Sequence, residues 1–120
     1  MTQSVSPLIV GLFGAALGLG AAFSAAPAAA QMTLSTADLM EVCSRTGTAW
    51  MDFCNGYMQS ANDIGSELEL VCVPADTSRM AMNELFRAFA ADAIASQPEM
   101  ADAAAINVVV ASLNAAFPCE

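Results

Sequence analysis

The chain contains no histidine, and Arg45, Arg79 and Arg87 are its only cations against twelve carboxylates. Without an imidazole there is no ordinary Ser-His or Cys-His pair to activate a nucleophile. Zinc loses a common nitrogen ligand as well, and the four cysteines, Cys43, Cys54, Cys72 and Cys119, include no C-x-x-C pair that would read as a metal site. Twelve scattered acids do not define a glycosidase-type pair of carboxylates. The shortage of positive charge excludes nucleic acid, whose phosphates demand clustered Lys and Arg, and argues equally against docking on anionic lipid. The expectation is a protein without catalytic residues, metal or cofactor. No internal repeat and no second domain can be found.

Charge is also missing from the N-terminal stretch, where residues 8–23 are apolar or glycine throughout. The run ends in an alanine-rich segment in which Ala28 and Ala30 fit a small-residue cleavage site. Residues 1–30 read as a signal peptide cut after Ala30, and residues 31–120 as the exported domain. The leader lacks the usual basic n-region and its apolar run is long, so an uncleaved membrane anchor is the alternative. A domain of about 90 residues is short for stability on a hydrophobic core alone. All four cysteines fall within it, and an even cysteine count behind an export signal reads as a disulfide framework in an oxidising compartment.

Helical periodicity dominates the exported part. From Thr48 to about Leu70, Trp50, Phe53, Cys54, Tyr57, Met58, Ala61, Ile64 and Leu68 recur at three- and four-residue intervals, the spacing of one face of a long central helix. Cys72-Val73-Pro74 breaks it. Gly56 and Ser60 within it suggest a small patch where another backbone comes close. Upstream, Ser35 or Thr36 caps a short first helix, with Asp38 in capping-box position and Leu39, Met40, Val42 and Cys43 following. A third helix opens at Asp76, Thr77 or Ser78 and turns Met80, Leu85, Phe86, Phe89 and Ile94 inward. A fourth starts near Pro98, a favoured first-turn residue, with Glu99 at the positive end of the dipole, and buries Ile106, Val109, Val110, Leu113 and Phe117. Trp50, Tyr57 and the methionines 40, 58, 80 and 82 are expected in the core. The fold class is all-α, a small disulfide-stapled bundle of about four helices.

The central helix constrains the cysteine pairing. Cys54 and Cys72 are separated by about 27 Å along a straight helix, at 1.5 Å per residue, and cannot meet. That leaves Cys43 with Cys54 and Cys72 with Cys119, or the crossed pattern; the first is the expectation. Loops of these lengths would contribute about 3 and 4 kcal/mol by chain entropy.

The ordered set Leu39-x-x-x-Cys43, Cys54-x-Gly56-Tyr57, Cys72-x-Pro74, the Pro98-Glu99 step and the closing Phe117-Pro118-Cys119 resembles the Rap/Tai family of immunity proteins. The resemblance spans about 35 to 119. It implies a small helical periplasmic protein, a homodimer, that neutralises a peptidoglycan-cleaving amidase effector of type VI secretion. Exposed acids beside a proline-fixed turn make Gln97, Glu99 and Asp102 the candidate partner-binding surface, entering the amidase cleft. An alternative is an acid-stress periplasmic chaperone of the HdeA kind. Protonating the carboxylates would carry the net charge from −9 to about +3 and open an apolar face. A third reading is an envelope structural protein.

Overall fold

The computed structural model describes residues 33–120. The expected signal peptide, the expected cleavage after Ala30 and residues 31–32 lie outside these. Four α-helices and one 3-10 turn follow in chain order: α1 (Thr36–Val42), α2 (Thr48–Glu67), α3 (Arg79–Ser96), the 3-10 turn Pro98–Ala101 and α4 (Ala105–Ala116). Among the described residues there is no strand, only an isolated antiparallel bridge between Ser35 and Ala104. No helix among them is long and apolar enough to cross a membrane.

Local chemistry sets most helix starts. Ser35 caps α1: its Oγ accepts from the Asp38 N–H at 3.1 Å and donates to Asp38 Oδ2 at 2.7 Å, a reciprocal arrangement that satisfies an orphan donor of the first turn. Ser78 does the same for α3, accepting from the Ala81 N–H at 3.1 Å. Gly47 precedes α2 with φ 119°, a conformation that only glycine adopts without strain.

α2 stops at Glu67, three residues short of the expected end. The Glu69 and Leu70 N–H groups turn back onto the Ser66 and Gly65 carbonyls at 3.0 and 2.8 Å, with Glu69 in the left-handed region at φ 55°. This is a Schellman ending, a chain reversal that Pro74 plays no part in. It lays Val71, which is 1% exposed, directly over Gly65. A Cβ at Gly65 would collide with the Val71 side chain. The close approach expected at Gly56 therefore occurs at Gly65. Gly56 is exposed with nothing near its missing Cβ, and Ser60 Oγ merely donates to its carbonyl along the helix at 2.9 Å.

The fourth helix does not start at Pro98. Proline opens a 3-10 turn instead, and Ala104, extended between that turn and α4, pairs with the segment before α1. The Thr36 N–H and its Oγ1 both donate to the Ala103 carbonyl at 2.9 Å, and the Ala105 N–H donates to Leu34 at 2.9 Å. These are non-local bonds, so helical periodicity carries no trace of them.

The core gathers Leu39 from α1, Met58 and Ala61 from α2, Met82, Phe86 and Ala90 from α3, and Val108, Val109 and Leu113 from α4. Met80, expected inside, is 57% exposed, and Met40 is half-buried. Ile106, Val110 and Phe117 are only half-buried. The disulfides Cys43–Cys54 and Cys72–Cys119 span Cα separations of 5.6 and 5.0 Å and fasten α1 to α2, and the chain after α2 to the C-terminal end. The Cys72 N–H also donates to the Phe117 carbonyl at 2.9 Å, seating the second staple on the end of α4. Two staples on so small a domain fit an oxidising compartment, secreted or periplasmic.

Candidate partner-binding surfaces

Gln97, Glu99 and Asp102 come together on the connection between α3 and α4, and all three are exposed. Gln97 leaves α3 in an extended conformation after its N–H has closed the helix on the Ala93 carbonyl at 2.8 Å. Its own carbonyl accepts from Met100 at 2.9 Å, and the Asp102 N–H donates to Glu99 at 3.1 Å, so the turn is bonded internally. Externally it is held by Thr36, buried at 0% exposure, through the two bonds to Ala103. The result is a tight acidic projection anchored on one side by the cap of α1. Beside it, Gln97 joins Phe89, Met100, Ala103 and Val108 around a groove of about 300 Å³ whose lining carries no charged side chain.

A second surface lies on α2 and departs from the expected arrangement. Cys54, Met58, Ala61 and Gly65 are its buried residues. Trp50, Phe53, Ile64 and Leu68, expected to point inward with them, are 39%, 45%, 47% and 60% exposed. At about 100° per residue, these four with Tyr57 form a separate line, about 80° round the helix from the buried one. The apolar periodicity was genuine, but it describes a band too wide for the neighbouring helices to cover. Its width was visible in the sequence; which edge would be covered was not.

Near its N-terminal end the stripe carries aromatic rings. The Phe53 and Tyr57 rings lie 6.1 Å apart, tilted by 39°. Partial burial pushes the Tyr57 hydroxyl above its ordinary pKa. The Arg45 guanidinium sits 4.5 Å from the centroid of Trp50 while pairing with Glu41 at 2.7 Å. Towards its C-terminal end, Ile64, Leu68 and Leu70 form one wall of a cleft of about 560 Å³, faced by Ile106 and Val110 of α4.

All four cysteine sulfurs are in disulfides, and among the described residues no group of three or more His, Cys, Asp or Glu side chains lies close enough to hold a metal ion. Exposed apolar and acidic faces on a rigid scaffold are candidate contact surfaces. The model of the Rap1a immunity proteins matches residues 35–119, from the cap of α1 to the last half-cystine. The chain belongs to this family. No curated protein and no solved structure matches it. As a Rap1a immunity protein it has, in its family, a reason for surfaces of this kind, since immunity works by engaging another protein. The match takes in both disulfides and the α3–α4 turn.

Proposed function

We propose that the protein is a periplasmic immunity protein of type VI secretion that binds a peptidoglycan amidase effector and blocks its substrate cleft by occupation, without chemistry of its own. Residues 1–30 serve as the export signal and residues 31–120 act as the inhibitor, as a homodimer. The family match over residues 35–119 carries this reading. Gln97, Glu99 and Asp102 form the inhibitory projection. A turn stiffened by its own bonds and by Thr36 loses little entropy on entering a groove, which is how a small contact can bind tightly.

The test is a pull-down with residues 31–120 against the secreted and envelope fractions of the source, followed by amidase assay on purified peptidoglycan. The expected result is a stoichiometric complex whose amidase activity is lost. Replacing both acids of the turn, Glu99→Lys with Asp102→Lys, is expected to weaken inhibition at least about tenfold if they face a basic groove. Capture without loss of activity would overturn the inhibitor reading, and full inhibition by the double variant would remove the turn from the interface.

A further inference from the structure

We propose that the uncovered stripe of α2 is a docking face for a partner segment that presents apolar side chains bordered by Lys or Arg. This deepens the immunity reading by naming the chemistry of the partner, and rests on it. The stripe from Trp50 to Leu68 is about 27 Å long. Asp52, Asp63 and Glu67 stand about 100° further round the helix, on the side away from the buried line, and all three are exposed. Acids thus stand beside the apolar stripe towards both of its ends, Asp52 at one and Asp63 with Glu67 at the other. α2 contains no Lys or Arg. The one ion pair among the described residues is Arg45 with Glu41, so none of the three rim acids is neutralised within the molecule.

Two features select the occupant. A second copy would bring the same acidic rim and a further net charge of −9 to the contact, whereas a basic segment satisfies both stripe and rim. The protein also shows the contact in miniature: Arg45, from the α1–α2 connection, already lays a guanidinium on the Trp50 ring. A partner arginine or lysine further along would meet the same combination of ring and carboxylate at Phe53, Tyr57 and the rim.

Trp50 is the chain's only tryptophan, so its emission reports directly on the stripe. The probes are two amphipathic helical peptides with the same leucine face, one bordered by lysine and the other by glutamate. The lysine peptide is expected to shift Trp50 emission to the blue, with affinity falling as salt rises, and the glutamate peptide to leave it unchanged. Ile64→Asp with Leu68→Asp should weaken the lysine peptide at least about tenfold. Asp63→Lys with Glu67→Lys should reverse the preference between the two. Circular dichroism confirms that each variant is folded. Equal response to both peptides, or undiminished affinity in the Ile64/Leu68 variant, would overturn the proposal, as would an emission that follows the protein's own concentration and strengthens with salt, the mark of a second copy. If the peptide series behaves as stated while no amidase is captured, the face stands and the amidase falls; the reverse pattern leaves the inhibitor and removes the face.

Discussion

Glu69 holds a left-handed backbone at φ 55° that its side chain does nothing to favour. Only the Schellman reversal requires that geometry, and glycine occupies it without the Cβ penalty. Glu69→Gly is therefore expected to stabilise the protein by about 0.5–1 kcal/mol, read from the midpoint of chemical denaturation at unchanged slope. Gly65 is the opposite case. Its open position is filled by Val71, so Gly65→Ala should cost about 1–3 kcal/mol through overpacking, despite the better helix propensity of alanine. If Gly65→Ala proved neutral, Val71 would have to be free to move. Neither position was legible in the sequence. Gly56, beside an asparagine, looks more like a special glycine than Gly65 does, and only the return of the chain over α2 distinguishes them.

At the level of elements, the caps were legible because they are local. Ser35 with Asp38 and Ser78 each carry their reason within three residues. The start of α4 was not, since Pro98 suits the first turn of either an α- or a 3-10 helix, and the choice was made by Ala103 and Ala105 pairing with Thr36 and Leu34. Thr36 is thus a positioning residue for the α3–α4 turn. Thr36→Val keeps the shape and the backbone bond but removes the Oγ1 donation, and should cost about 1 kcal/mol. Hydrogen exchange at the Ala105 amide should quicken more than exchange in the core of α3. Uniform quickening would mean that Thr36 acts only on global stability. The candidate turn residues 97, 99 and 102 were legible as an exposed group. The α2 stripe was misplaced as core, because periodicity gives the direction of an apolar band without saying how much of it the neighbours cover.

Across the whole molecule, charge separates the two associations proposed for it. The chain carries a net charge of −9, and among the described residues its rim and turn acids have no partner of opposite sign. Self-association brings like charges together and is opposed most at low ionic strength, whereas docking on a basic partner is favoured most there. The linings of the groove between α3 and α4 and of the cleft between α2 and α4 carry no charged side chain that could pair two such chains. The homodimer is accordingly expected to tighten as salt rises from about 0.01 to 0.5 M, over which the screening length falls from about 30 Å to less than 10 Å. Complex formation with a basic effector should weaken over the same range. Sedimentation equilibrium of residues 31–120 at several salt concentrations measures the first, and titration against the captured effector the second. A monomer at every salt concentration would dismiss the dimer. A dimer that loosens with salt would require ion pairs across its interface, and those could come only from Arg45, Arg79 or Arg87, the three cations the chain has to offer.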